Sequence, residues 1–258
     1  MSLFDKSDNV FNGNKIHFIA YGDTQFNSAK KGIFKQAKLT NWFNTISVLG
    51  MDDLDEDFKE EFKDMILPKT KWHVWKFKII LDKLKHLDDD EFLVYLDSGS
   101  EINIKGEERF KEYIELIKNN SVDKIISFQL TEDRLERIWN TNNVFNYFNV
   151  PFDGEIANSP QYMSGLLIMQ KNKKVIDIFE KCLNAVKHDH NLITNNAKKY
   201  GAQPGFIDHR HDQAICSVVR KLEGSIVLPD ETYYRKWNCQ EALNKPFLCK
   251  RLGGRDKT

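Results

Sequence analysis

A carboxylate follows directly after an apolar segment in the sequence EFLVYLDSGSEIN, residues 91–103. The run Phe92 to Leu96 is nearly all apolar, which is typical of a buried strand, and Asp97 comes next. Ligands of open α/β sheets bind beyond the carboxyl ends of the strands, and Ser98 and Gly99 add little bulk there. Carboxylate oxygens suit hard cations such as Mg²⁺ or Mn²⁺, which bridge to phosphates. Asp97 is therefore a candidate metal ligand, unless its side chain only caps a turn.

A second polar cluster, DHRHDQ at residues 208–213, stands just before an apolar helical pattern. It combines two histidines, two acids, an arginine and a glutamine, so it could bind a polar ligand or transfer protons. The alternative is a solvated loop in which an aspartate caps the helix. Metal phosphohydrolases also use HxHD spacing, but the sequence offers no convincing set of further ligands.

Three weaker signals accompany these two clusters. Tyr21 and Gly22 end the first predicted strand, and the small pair Ser164-Gly165 lies inside the predicted strand YMSGLLIM, residues 162–169. Lys76 lies at the start of a predicted helix, where a cation and free backbone N–H groups could meet a diphosphate. The alternative for Lys76 is an ordinary exposed lysine.

The elements that must position these residues alternate between strand and helix patterns. This alternation predicts a mostly parallel α/β sheet with helices on both faces, in a single domain spanning 15–258 after a flexible N-terminus at 1–14. The predicted strands are 15–21, 46–49, 92–96, 125–128, 162–169 and 225–228. The predicted helices are 28–44, 55–66, 72–87, 107–120, 138–148, 175–189 and 211–222.

Bulk composition restricts the classes of function. The chain has 258 residues, with 38 lysines and arginines against 38 aspartates and glutamates, and zero net charge argues against non-specific nucleic-acid binding. Four cysteines without a CxxC pair predict reduced thiols and a cytoplasmic location. No apolar run approaches the roughly 20 residues of a membrane span, which leaves only peripheral membrane association open.

Taken in order, six segments of the chain resemble nucleotide-sugar glycosyltransferases of the GT-A fold. The group concerned occurs in bacterial and large-virus polysaccharide or glycan gene clusters, and the resemblance runs from about residue 15 to about residue 230. WKFKIIL resembles the Trp-Lys-Pro helix of that group, YLDSG resembles a variant of its DxD motif, and HRHDQ resembles its signature before the last helix. The segments are KIHFIAYGD, SAKKGIFKQAK, HVWKFKIILDKL, FLVYLDSGSEIN, YMSGLLIMQKN and DHRHDQAICSVV.

The resemblance implies transfer of a sugar from a nucleotide-diphosphate donor, UDP in the first instance, to a hydroxyl of a glycan or other acceptor. It places Tyr21 and Gly22 at the uridine and Lys76 at the diphosphate. It makes Asp97 the ligand of Mn²⁺ or Mg²⁺, with Ser98 and Gly99 beside it.

The sugar end of the donor is assigned in the same way. The resemblance places Ser164 and Gly165 at the border of the sugar, and Asp212 and Gln213 beneath it. The candidate catalytic residues are Asp212 and His211. Asp212 would act as a general base in an inverting reaction, or stabilise an oxocarbenium-like centre in a retaining one.

The sequence departs from the DxD motif at Gly99, which stands where the second aspartate is expected. Asp97 must then hold a metal with phosphates and water alone, or Glu101 or His211 must contribute. The departure keeps open a catalytically silent nucleotide-sugar-binding protein. A HAD-like phosphatase is a further alternative, because YLDSGS loosely resembles its Asp-x-Asp nucleophile motif.

Overall fold

The computed structural model describes residues 2–67, 72–194 and 203–250. Its main sheet has seven strands in the order β1-β3-β2-β4-β7-β6-β8, and β5 pairs with β9 in a separate two-stranded sheet. The strands are β1 (Leu3–Lys6), β2 (Ile16–Tyr21), β3 (Thr45–Leu49), β4 (Phe92–Leu96), β5 (Glu101–Ile102), β6 (Ile125–Gln129), β7 (Leu166–Gln170), β8 (Ile226–Pro229) and β9 (Phe247–Leu248).

Helices connect most of the strands. The α-helices are α1 (Asn27–Thr40), α2 (Glu56–Glu61), α3 (Trp75–Lys85), α4 (Glu107–Asn119), α5 (Glu136–Trp139), α6 (Asn142–Tyr147), α7 (Lys173–His188), α8 (His211–Glu223) and α9 (Gln240–Leu243). Within the described ranges, no helix is both long enough and apolar enough to span a membrane.

The directions of the strands confirm the predicted fold class. Strands β3, β2 and β4 are mutually parallel, β6 is parallel to β8, and β7 is antiparallel to both β4 and β6. Five strands therefore run in one direction, while β7 and the edge strand β1 run in the other.

The two faces of the sheet are covered by different helices. In β4, Phe92, Val94 and Leu96 face the apolar cluster that includes α1 and α4. Leu93 and Tyr95 face the other cluster, to which α3, α7 and α8 contribute. Because side chains alternate along a strand, residue 97 continues the face of Tyr95 and is directed toward α3 and α8.

The prediction of a flexible N-terminus at 1–14 is wrong for residues 3–6. These residues form β1, in which Leu3 lies opposite Val48 of β3. Phe11 is also buried and stacks on Phe110 with ring centroids 4.9 Å apart. A four-residue edge strand that alternates between half-buried and exposed positions carries too short a pattern to be recognised in the sequence.

Two predicted helices are shorter than expected. The prediction over 138–148 corresponds to α5 and α6, which are separated by two extended residues, Asn140 and Thr141. The side-chain amide of Asn140 donates to the carbonyl of Ala214. The prediction from Asp55 gives only α2, although Asp55 does cap it by accepting a hydrogen bond from the backbone N–H of Phe58 at 2.8 Å. Between α5 and α6, the buried hydrogen bond from Asn140 to Ala214 outweighs the local preference for helix.

Candidate active site

The end of β4 and the start of β7 lie side by side at one edge of the sheet. Leu96 is opposite Leu166, and the backbone N–H of Asp97 donates to the carbonyl of Gly165 at 2.9 Å. Strand β7 begins only at Leu166, so Ser164 and Gly165 precede it and do not lie inside a strand as predicted. Because β7 is antiparallel to β4, the start of β7 lies beside the carboxyl end of β4, so Ser164 and Gly165 are close to Asp97.

Asp97 does not cap its turn with its side chain. The turn from Asp97 through Ser98 and Gly99 is closed by the backbone, since the N–H of Ser100 donates to the carbonyl of Asp97 at 2.9 Å. The carboxylate instead accepts a hydrogen bond at Oδ1 from the hydroxyl of Tyr95 at 2.6 Å. The side chain of Asp97 is 43% exposed, so the carboxylate is held from below and open to solvent.

The sequence analysis did not identify Tyr95 as a site residue, although a signal for it was present. Residues i and i+2 of a strand share a face, so a tyrosine two residues before a strand-end carboxylate can reach it. Burial raises the pKa of the Tyr95 hydroxyl, and the charge of Asp97 acts in the same direction. Tyr95 therefore remains protonated and donates to Asp97.

Lys76 joins the two candidate aspartates. Its Nζ lies 2.6 Å from Oδ2 of Asp212, 3.4 Å from Oδ1 of Asp97 and 3.2 Å from the carbonyl oxygen of Ser164. Burial alone lowers the pKa of the ammonium, but Asp212 and Asp97 outweigh it and the net pKa is raised. An ammonium group has three N–H donors, and three acceptors surround this one. Lys76 is 2% exposed, so it lies beneath the crevice and not at its surface, where the diphosphate was expected.

Asp212 lies in the first turn of α8, where a negative charge suits the helix dipole. Its Oδ1 lies 3.4 Å from Nδ1 of His73, a residue that the sequence analysis missed. Burial alone raises the pKa of the Asp212 carboxyl, but the charges of Lys76 and His73 outweigh it, so that pKa lies well below its usual range. Asp212 is therefore an ionised, buried carboxylate.

The neighbours of Asp212 are engaged in different ways. His211 donates from Nδ1 to the carbonyl of Ile193 at 2.8 Å, and burial lowers its pKa although that hydrogen bond opposes the shift. Gln213 donates through its amide to Gln161 at 2.9 Å. Neither residue makes a hydrogen bond or ion pair with Asp97 among the described residues, so a role for His211 as a catalytic group or metal ligand stays a prediction.

Gly165 permits the close approach of the two strand ends. A Cβ atom at this position would lie 2.8 Å from Cε of Met163 and 3.1 Å from Oδ2 of Asp97. The first contact is shorter than real Cβ contacts, and the second is tighter than most, so a side chain at residue 165 would shift Met163 and crowd the carboxylate. A small residue at position 165 was expected beside a ligand. The packing of Met163 and Asp97 against this position also favours glycine.

The carboxyl end of β2 lies next to the carboxyl end of β4 at the same edge of the sheet, because the two strands are paired and parallel. The ring of Tyr21 stacks on Trp75 with centroids 3.8 Å apart. A Cβ atom at Gly22 would lie 2.9 Å from Cγ of Lys30, a buried lysine. Tyr21 and Gly22 therefore lie at the same edge of the sheet as Asp97, and their role at a uridine stays a prediction.

The strand ends could offer a divalent cation one carboxylate oxygen, from Asp97. The described residues contain no group of three or more His, Cys, Asp or Glu side chains arranged to bind a metal. Glu101, a predicted helper ligand, pairs with Lys250 at 2.8 Å instead. Oδ2 of Asp97 accepts no hydrogen bond from the described parts of the chain, and Mg²⁺ often binds through one carboxylate, phosphates and water.

A separate cavity of about 610 Å³ lies near the start of α4. Its strongest charges neutralise each other, because Glu231 pairs with Arg109 at 2.6 Å and with Lys245 at 2.8 Å. None of the candidate site residues described above lines this cavity. We therefore place the candidate site at Asp97.

The fold and the crevice define an α/β protein with acidic side chains at the carboxyl edge of a mostly parallel sheet. No protein-family model matches the chain, and no curated protein matches it by sequence. A solved structure with a similar fold is a glycosyltransferase involved in the glycosylation of the major capsid of PBCV-1. It is 11% identical, with a TM-score of 0.50 over 91% of this chain and 92% of that one.

Two other similar structures are transferases as well. Mouse xyloside xylosyltransferase 1 is 9% identical, with a TM-score of 0.46 over 94% of this chain and 96% of its own. The galactosyltransferase LgtC, in complex with donor and acceptor sugar analogs, is 11% identical, with a TM-score of 0.47 over 90% of this chain and 86% of its own. Neither of these two likenesses, with TM-scores of 0.46 and 0.47, bears on the fold or the function. The architecture of the sheet together with the likeness to the PBCV-1 capsid glycosyltransferase confirms the GT-A-like fold expected from the sequence, and at 11% identity that likeness bears on the fold alone.

Proposed function

We propose that the protein transfers a sugar from a nucleotide-diphosphate donor, with UDP as the nucleotide, to a hydroxyl of a glycan acceptor. One observation carries the proposal: Asp97 and Asp212, 115 positions apart in the chain, are brought to one crevice by the buried ammonium of Lys76. The crevice lies where open α/β sheets bind their ligands.

Asp97 is the proposed anchor for the diphosphate end of the donor. Oδ1 is held by Tyr95, which leaves Oδ2 for a divalent cation shared with phosphate oxygens. Mn²⁺ or Mg²⁺ in this position would supply positive charge that favours departure of the nucleoside diphosphate. Lys76 donates to Asp212 and Ser164 and pairs with Asp97 beneath the crevice, so in this proposal it positions Asp97 and is not a phosphate ligand.

Asp212 is the proposed electrostatic group near the sugar. A general base works best when its pKa lies near the operating pH, and the pKa of Asp212 is held far below it by Lys76. This favours the role of an anion that stabilises an oxocarbenium-like centre over that of a base. A retaining reaction would use Asp212 in this way.

The first experiment is a thermal-shift titration with UDP, with and without Mn²⁺, followed by UDP release from a panel of UDP-sugars. Wild type should be stabilised by UDP and should release it, whereas Asp97→Asn and Asp212→Asn should lose turnover by about 100-fold or more. Asp177→Asn is the matched control, because Asp177 pairs with exposed Lys173 on α7, away from the crevice. The control should behave as wild type.

The alternatives predict different outcomes of the same experiment. A silent nucleotide-sugar-binding protein would show the thermal shift without UDP release. A HAD-like phosphatase would show no shift with UDP and would form a phospho-aspartate at Asp97. Wild-type turnover in both aspartate variants would contradict the proposed site.

A further inference from the structure

Three aromatic side chains form a cluster at the surface between β8 and α9. Tyr233, Tyr234 and Trp237 lie in the sequence ETYYRKWN, residues 231–238. The ring centroids of Tyr233 and Trp237 are 5.3 Å apart and their planes meet at 89°, and the ring of Tyr234 lies 6.3 Å from that of Trp237. Tyr233 is 58% exposed and Trp237 is half-buried. None of the three belongs to either apolar cluster formed by the described residues, so packing of the core does not account for this aromatic cluster.

One connection from the aromatic cluster to the crevice runs through Lys250. Its Nζ lies 5.5 Å from the centroid of the Trp237 ring, within the range of a cation–π contact, and 2.8 Å from Oε1 of Glu101. Glu101 begins β5 and directly follows the turn that starts at Asp97. Trp237 is therefore held beside the loop that leaves the candidate site.

A second connection runs through Cys249. Its backbone N–H donates to the carbonyl of Thr232, the residue before Tyr233, at 2.7 Å. Its Sγ also lies beside the strand ends: a Cβ atom at Gly165 would lie 3.4 Å from Sγ of Cys249 and 3.1 Å from Oδ2 of Asp97. Two separate contacts thus place the aromatic cluster next to the crevice.

The chemistry of the aromatic cluster suits a sugar ring. The face of an aromatic ring is negative, and the C–H groups on the apolar face of a sugar carry partial positive charge, so the two faces attract each other. We propose that Tyr233 and Trp237 bind a ring of the acceptor glycan beside the site of sugar transfer. The inference rests on the proposed function, which supplies the acceptor, and adds the surface that holds it.

A membrane surface is the competing ligand. Arg235 and Lys236 are exposed in the same segment, and aromatic residues next to basic ones also suit the headgroup region of an anionic membrane. The contacts favour the glycan, because Trp237 is only half exposed and is held by Lys250 against the edge of the crevice. A side chain that inserts into lipid needs to protrude from the surface.

The test is saturation-transfer NMR with lactose, maltose, cellobiose and N,N′-diacetylchitobiose as probes, in the presence of UDP and Mn²⁺. Wild type should bind at least one of these disaccharides. Trp237→Ala should weaken that binding about 5- to 10-fold, and Tyr233→Ala should weaken it about threefold or more. Trp237→Phe keeps an aromatic face and should bind within about threefold of wild type.

Two controls separate stacking from folding and from lipid binding. Phe4→Ala removes another exposed ring, which is 65% exposed on the edge strand β1, and it should bind the disaccharide as wild type does. Sedimentation with vesicles of phosphatidylcholine and phosphatidylglycerol tests the membrane, and neither wild type nor Trp237→Ala should bind them. All variants should remain folded by circular dichroism.

The outcomes separate this inference from the proposed function. Equal disaccharide binding by wild type and Trp237→Ala would overturn it, and so would binding of none of the probes or vesicle binding that depends on Trp237. If wild type still releases UDP from a UDP-sugar, these results leave the proposed function intact. If disaccharide binding depends on Trp237 but wild type releases UDP from no sugar nucleotide, the proposed function fails and the aromatic cluster remains a glycan-binding surface.

Discussion

The ammonium of Lys76 lies 2.6 Å from the carboxylate of Asp212, and both groups are buried beneath the crevice. The same ammonium reaches Asp97 at 3.4 Å, so a single cation holds two anions that come from opposite halves of the chain. Two adjacent carboxylates repel each other, and the lysine between them removes that cost. The shape of the site thus depends on a residue that no ligand is expected to touch.

Removing this lysine should destabilise the protein severely. In Lys76→Met, Asp212 stays buried without its main partner, and breaking a buried pair on one side costs about 3–5 kcal/mol. The free energy of unfolding, measured with urea, should fall by that amount. Lys85→Met is the matched control, because Lys85 pairs with Glu180 at the surface, where the side chains are 51% and 41% exposed, and it should cost less than about 1 kcal/mol. Equal stabilities for the two variants would show that Lys76 does not hold the site together.

Gly165→Ala should damage the site more than the fold. The added methyl group would lie 2.8 Å from Cε of Met163 and 3.1 Å from Oδ2 of Asp97, so it would shift Met163 and press on a carboxylate that Tyr95 holds in place. We expect a loss of about 10-fold or more in UDP release, since displacements of about 1 Å can cost 100-fold. Gly32→Ala is the control in α1, where a Cβ atom meets nothing within 4 Å, and it should stabilise the helix by about 0.5–1 kcal/mol. An active Gly165→Ala enzyme would show that the position of Asp97 is not critical.

The protein should lose stability in mild acid through His209. Burial lowers the pKa of His209 to about 3, and the charge of His211 acts in the same direction. The unfolded chain therefore binds the proton more readily below the ordinary value of 6.5, and the free energy of unfolding falls as the pH drops below it. Between pH 7 and pH 5 the contribution of His209 is about 2 kcal/mol.

Urea unfolding at the two pH values measures this contribution. His209→Gln keeps a donor for the carbonyl of Leu192 but removes the titrating group, so its stability should fall by about 2 kcal/mol less than that of wild type. His86→Gln removes an exposed histidine and should keep the wild-type pH dependence. Identical pH dependence in wild type and His209→Gln would contradict the assignment.

The sequence predicted which residues belong to this site better than it predicted which of them contact each other. Apolar runs and helical periodicity located the strands and helices around the crevice, and the strand-end rule selected Asp97. The contact between Lys76 and Asp212 could not be predicted, because the two residues are 136 positions apart and local pattern does not encode such contacts. Tyr95 could have been found from its spacing to Asp97, whereas Gln161 gave no local signal.

A crystal structure of the protein with UDP and Mn²⁺ tests the central claim most directly. We predict a metal ion bound to Asp97 and to the diphosphate, with uracil on the side of Tyr21. Nucleotide bound elsewhere, for example in the cavity between Arg109 and Lys245, or no nucleotide bound at all, would contradict the account.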